Sequence, residues 1–178
     1  MTGVQTCALP IYHPACLNPE QLLADCVLRT SRHSGPGGQH RNKVETAVEL
    51  IHQPTGITGF AAETRSQDSN RQMALFRLRL QLAVHLRTTA SAEVYPSALW
   101  QKRCQKQRIV CSERHFDFPA LLAEALNAVD AMQFDVRRAA AALSCSTSQL
   151  VRFIARIPDA LQLINAERQK RGQRKLLP

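Results

Sequence analysis

The segment Ser31 to Val48 reads SRHSGPGGQHRNKVETAV and holds the residues best placed to do chemistry. Gly37 and Gly38 carry no Cβ, so backbone at these positions can approach a reacting carbon closely and adopt angles closed to other residues. The N–H of Gln39 can then donate to a developing oxyanion or to a departing oxygen. One such donor is worth about 10²–10³ in rate. The Gln39 side chain can orient or admit water, and its amide stays neutral at every working pH. Other uses of a glycine-rich loop fit less well. A P-loop needs a Lys-Ser/Thr step that is missing here. Gly35 and Gly37 have the first spacing of a dinucleotide fingerprint, but no third glycine follows. No G-x-S-x-G elbow occurs.

The flanking sequence supplies the elements that must position this loop. Asn18 followed by Pro19 is a helix start of one or two turns. Cys26 to Thr30 reads as a short strand leading into the Gly/Ser/Pro-rich loop. Val44 to His52 alternates mostly with a period of two, Gln53 to Gly56 is a turn, and Ile57 to Glu63 is a second strand, which makes an antiparallel hairpin. Ser66 or Asp68 caps a helix predicted over about Ser69 to Arg87. Met73, Phe76, Leu80 and Val84 form its stripe, widened by Leu75, Leu78, Leu82 and Leu86. Arg71, Arg77, Arg79 and Arg87 are expected toward solvent. Thr88 to Ala98 reads as a linker. Beyond Trp100 and a basic stretch (Lys102, Arg103, Lys106, Arg108), helices are predicted over Pro119 to Ala131, Asp135 to Leu143, Ser148 to Ile157 and Asp159 to Arg171.

Bulk properties agree with a globular nucleic-acid partner. The 178 residues are 44% hydrophobic and carry a net charge of +9. A surface this basic suits an acidic polymer, although a merely solvated basic face has the same composition. No apolar run approaches the roughly 20 residues that span a membrane. The six cysteines show neither C-x-x-C spacing nor pairing with histidines, so no metal site and no disulfide framework is expected, and a reducing cytoplasm fits. Met1 to Ile11, MTGVQTCALPI, lacks the basic start and apolar core of a signal peptide. It matches the translation of a common sequencing-library adapter, with GTG read as the start codon. Residues 1–17 are therefore expected to be an adapter-derived scar and disordered lead, with Cys7 not native; a genuine short extension is the alternative.

Three collinear blocks resemble the catalytic domain of class I peptide chain release factors. They are Ser34-Gly35-Pro36-Gly37-Gly38-Gln39 with Asn42-Lys43, then His52-Gln53-Pro54-Thr55-Gly56-Ile57, then Arg65-Ser66-Gln67 with Asn70. The resemblance covers roughly Leu22 to Arg87 and is greatest for the small codon-independent ribosome-rescue hydrolases. It implies a peptidyl-tRNA hydrolase, a carboxylic ester hydrolase, that acts in the peptidyl transferase centre of the ribosome with Gly37, Gly38 and Gln39 as catalytic residues. Ser34, Gly35, Pro36 and Asn42 would support the loop. Arg32, His40, Arg41, Lys43, Arg65 and Arg71 would meet ribosomal RNA or the tRNA acceptor end. His40 as a general base is a further possibility, but the family does not rely on one; the substrate's ribose hydroxyl can relay the proton. No cofactor or metal is implied. The family's glutamine is a known methylation site, so a glutamine methyltransferase acting on Gln39 is a possible partner. A monomer fits the ribosomal cavity best. Nothing before Asn18 reads as a codon-inspecting domain, so hydrolysis without stop-codon recognition is expected.

The expected fold class is α+β: a small antiparallel sheet packed by one long helix, with a protruding Gly-Gly-Gln loop, followed by a small all-α helical module. The expected units are the lead 1–17, a catalytic domain 18–87, a linker 88–99, the helical module 100–168 and a basic tail 169–178. The module departs from the rescue hydrolases, which end in a flexible basic tail. Within it Asp135 to Ile157 resembles a helix-turn-helix, with Ala139, Ala140 and Leu143 inside and Gln149 and Arg152 outside. Most such pairs are only structural. Docking on the ribosome or RNA is the favoured role. A non-catalytic ribosome- or RNA-binding factor and a helix-turn-helix nucleic-acid binder are the competing readings of the whole chain.

Overall fold

The computed structural model describes residues 13–32, 45–88 and 95–178. It is an α+β fold. Strands β1 (Cys26–Ser31), β2 (Ala47–His52) and β3 (Thr58–Ala61) form an antiparallel sheet in the order β1-β2-β3. The central strand buries Ala47, Val48, Leu50 and His52, whereas β1 is mostly exposed. Helix α1 (Pro19–Ala24) precedes the sheet, and the Asn18 side chain accepts the Gln21 N–H at 2.8 Å. The β2–β3 turn is closed by the Gly56 N–H, which donates to His52 O at 2.8 Å. Gly56 has φ +70, a left-handed angle that suits a residue without a Cβ.

Helix α2 (Gln67–His85), capped by Ser66, lies on the sheet. Gly59 in β3 makes this approach possible: a Cβ there would stand 2.2 Å from Ala74 O and 2.5 Å from Leu78 N. Arg77 fastens the same contact from the rim, donating to Phe60 O at 2.7 Å and pairing with Glu63 at 2.6 Å. Arg77 holds the Glu63 carboxyl below the usual carboxylate range.

The other side of α2 is covered by α4 (Phe118–Ala131), which is buried from Phe118 through Val129. A helix apolar all round must be enclosed on every side. Here α2 and α5 (Val136–Ala142) with α6 (Thr147–Ala155) enclose it, and α7 (Pro158–Lys170) packs outside α6. One continuous apolar core runs from the sheet through α4 to α6.

Three local features differ from the sequence expectations. Residues 13–17, expected within a disordered lead, include a 3-10 turn (Pro14–Cys16) with Ala15 fully buried. Arg79, expected in solvent, is 2% exposed, while Met73, expected on the buried stripe, is 46% exposed. The burial of Arg79 follows from α2 being covered on two sides, which a single-stripe reading does not anticipate. The basic stretch after Trp100 folds as helix α3 (Ala98–Arg103) and a tiny hairpin, β4 (Cys104–Gln105) with β5 (Arg108–Ile109). These elements are too short to show a period, and their turn, Lys106-Gln107, has φ 49 and 62 without a glycine to mark it. Part of the basic tail is bound back onto α7. The Leu176 N–H donates to Asn165 Oδ1 at 2.7 Å, and Arg168 donates to Arg174 O and to Phe134 O.

Candidate active site

The β1–β2 ladder fixes where the glycine-rich segment is attached. Its register runs from Cys26 opposite His52 to Ser31 opposite Ala47. The two ends of the intervening chain are therefore neighbours at one end of the sheet. Ser34, Gly35, Pro36, Gly37, Gly38, Gln39, His40, Arg41, Asn42 and Lys43 lie outside the described residues. What the structure describes is the stem from which they extend.

That stem is cross-braced. Thr30 Oγ1 donates to Glu45 Oε2 at 3.2 Å, and Arg32 Nε stands 3.8 Å from Glu45 Oε1. These groups are exposed, so the ion pair alone contributes little. The stronger fixation comes from the start of α2. Gln67 Nε2 donates to Glu45 O at 2.9 Å. Asn70, only 1% exposed, donates through Nδ2 to Thr46 O at 2.7 Å and to Thr64 O at 2.9 Å. Its Oδ1 accepts from Thr64 N–H and from Thr64 Oγ1, both at 3.0 Å. One amide side chain thus satisfies both its donors and its acceptor and ties the loop exit to the β3–α2 connection and to the helix.

Two of the three sequence blocks have a place in this arrangement, and the first lies outside the described residues. The third, Arg65-Ser66-Gln67 with Asn70, caps α2 and clamps the stem. The second is the turn at the opposite end of β2. There His52, 3% exposed, hydrogen-bonds Thr55 Oγ1 at 2.7 Å, and burial lowers its pKa against the opposing influence of Asp25. That block sets the β2–β3 register and stands away from the loop.

Of the cationic residues expected to meet RNA, Arg32, Arg65 and Arg71 are described, and all are exposed. Arg32 borders the stem through Glu45, and Arg65 and Arg71 flank the Ser66–Asn70 clamp in sequence. Sequence reasoning did not single out Glu45, Thr46, Thr64, Gln67 or Asn70 as positioning residues. Gln67 and Asn70 had a signal, their membership in the third block; a hydrogen bond to a backbone carbonyl more than twenty residues away leaves none. Among the described residues there is no group of three or more side chains able to hold a metal ion. No helix in them is long and apolar enough to cross a membrane.

Comparison with known proteins agrees with this frame. The RF-1 domain model matches residues 22–115. Peptide chain release factor 1 of Symbiobacterium thermophilum is 44% identical over 69 residues, covering 39% of this chain and 19% of that protein. The mitochondrial peptide chain release factor 1-like protein of Mus musculus is 44% identical over 71 residues, covering 39% and 18%. Peptide chain release factor 1 of Xylella fastidiosa is 48% identical over 59 residues, covering 33% and 16%. The match therefore spans less than a fifth of the length of these relatives. No solved structure matches significantly. With more than half of its residues matched by the family model, from α1 through the β4–β5 hairpin and the residues just beyond it, this chain belongs to the RF-1 domain family.

Proposed function

We propose that this protein hydrolyses the ester of peptidyl-tRNA in the peptidyl transferase centre of the ribosome, without reading a stop codon. The observation that carries the reading is the Gly37-Gly38-Gln39 motif on a segment whose two ends are paired across β1 and β2 and whose exit is clamped by Asn70. The 15 residues between Ser31 and Ala47 can reach about 25 Å from the sheet if extended out and back. Side-chain-free backbone at Gly37 and Gly38 suits a narrow RNA cavity. The Gln39 N–H would donate to the oxyanion or to the departing tRNA oxygen, and its side chain would orient water. Ser34, Gly35, Pro36 and Asn42 would shape the loop. Arg32, His40, Arg41, Lys43, Arg65 and Arg71 would hold RNA phosphates.

The codon-independent assignment is supported by the Gly-Pro-Gly-Gly-Gln and Asn-Lys pattern, which resembles the rescue hydrolases. In this reading the protein acts as a cytoplasmic monomer, and Gln39 is the acceptor for a glutamine methyltransferase. The test is peptide release from ribosomes with an empty A site. Gln39→Ala and Gly38→Ala should each reduce release by about 10²-fold or more. Equal rates for parent and variants would remove the hydrolase assignment. Release that depended on a stop codon would remove the rescue subtype alone.

A further inference from the structure

The β4–β5 hairpin and α6 form the two walls of an open cleft of about 790 Å³. Gln105, Lys106 and Arg108 line one wall, and Gln149, Arg152 and Arg156 line the other. The last three repeat at helical spacing and so share one face of α6. None of the described lining residues is acidic.

The walls are fixed relative to each other. Ser146, the N-cap of α6, donates its N–H to Gln107 O at the hairpin tip at 3.4 Å. Arg156 Nη1 donates to Cys111 O at 2.5 Å, and its guanidinium lies 5.5 Å from the Phe153 ring centre. Arg156 is thus engaged in building the cleft. Lys106, Arg108 and Arg152 are exposed, and the ion pairs among the described residues include none of them. Three uncompensated cations facing one rigid concavity form a site for successive phosphates.

We infer that this cleft holds a stretch of RNA phosphodiester backbone. This deepens the ribosomal reading by giving the helical module a second RNA contact, apart from the Gly-Gly-Gln loop. Duplex DNA fits the geometry poorly. A recognition helix presents its N-terminal residues to base edges in the major groove. Here the N-terminal end of α6 is tied to the hairpin tip, and the cations face a walled channel.

The test compares three full-length proteins. One is the parent. The second carries Lys106→Gln, Arg108→Gln and Arg152→Gln. The third is a charge-matched control with Arg137→Gln, Arg138→Gln and Lys175→Gln, all exposed outside the cleft. Fluorescence anisotropy reads binding of a labelled 20-nucleotide single-stranded RNA and of a 20-base-pair DNA duplex across a salt series. Thermal unfolding confirms that each variant folds. The cleft variant should bind the RNA about tenfold more weakly at moderate salt, with its salt slope reduced by about 2, near 0.7 for each lost phosphate contact on a single strand. The control should lose much less. Equal losses in the two variants, or unchanged binding in the cleft variant, would overturn the inference, as would a parent that preferred the DNA duplex. This assay reads RNA binding alone, so a failure of the hydrolase reading would show in peptide release and not here.

Discussion

Asn70 is the residue on which the loop stem depends most directly. Its side chain, 1% exposed, makes four hydrogen bonds at 2.7 to 3.0 Å. Asn70→Ala would leave Thr46 O and the Thr64 N–H without these partners. Unsatisfied buried groups cost about 1–3 kcal/mol each, so a loss of about 2–4 kcal/mol is expected in urea unfolding. If the proposed function holds, peptide release should also fall through kcat, because the exit of the glycine-rich segment would be held less firmly. Unchanged stability with unchanged release would remove the clamp role.

His13 offers a second residue-scale expectation. Its Nδ1 accepts the Ala15 N–H at 3.1 Å, and Nε2 faces Leu86 O at 3.2 Å, a pattern suited to the neutral ring protonated at Nε2. Burial pushes its pKa down to about 4, the Leu86 carbonyl partly opposes this, and nearby Arg87 adds to the lowering. The unfolded chain therefore takes up this proton below about pH 6.5, and the folded chain does so only near pH 4. The stability linked to neutral His13 is whole above pH 6.5 and is lost as pH falls toward 4, by about 3 kcal/mol. His13→Gln should flatten the pH dependence of unfolding across that window by a comparable amount. A parent and variant with parallel pH profiles would rule the linkage out.

At the scale of elements, the β3–α2 contact sets the distance between sheet and helix. Gly59 permits that distance, since a methyl group would collide with helix backbone that has little room to yield. Gly59→Ala should destabilise by about 1–3 kcal/mol, seen as a lower melting temperature. The displaced helix carries the Gln67 and Asn70 clamp, so release should fall as well if the proposed function holds. The strand pairing itself was readable from sequence, because the alternation of Val48 and Leu50 with Glu49 and Ile51 and the turn at Pro54-Thr55-Gly56 are local signals. Helix α3 and the β4–β5 hairpin were not, because a six-residue helix and two-residue strands carry no clear period.

For the whole molecule, Arg79 is the strap between parts that are distant in sequence. Its Nε and Nη2 donate to Ala15 O at 3.1 and 2.8 Å, and its Nη1 donates to Phe116 O at 2.7 Å. Its guanidinium also lies 3.9 Å from the Phe116 ring centre. The buried side chain thereby joins the 3-10 turn, α2 and the segment entering α4. Arg79→Met should cost about 2–4 kcal/mol through carbonyls left unpaired. Arg79→Lys should recover only part, since an ammonium cannot reproduce the planar fork. Limited proteolysis should open the segment around Cys16 and Phe116 first in both variants. On the far side of α4, Trp100 donates to Leu143 O at 2.7 Å and meets Phe153 edge to face at 6.0 Å, which locks α3 into the same core.

The sequence by itself determined the α+β class, the helix cap at Asn18, and the position of Gly37-Gly38-Gln39 between two strands, and it narrowed the α2 cap to Ser66 or Asp68. Those features depend on a few neighbouring residues and on local periodicity, so they can be read in one dimension. Only the tertiary structure decided that α2 is covered on two sides, that Arg79 is internal, that Asn70 clamps the stem, and that a basic cleft forms between the hairpin and α6. Each of these depends on a partner brought in from elsewhere in the chain. Burial and long-range hydrogen bonding are properties of the packed pair, and neither member shows them alone.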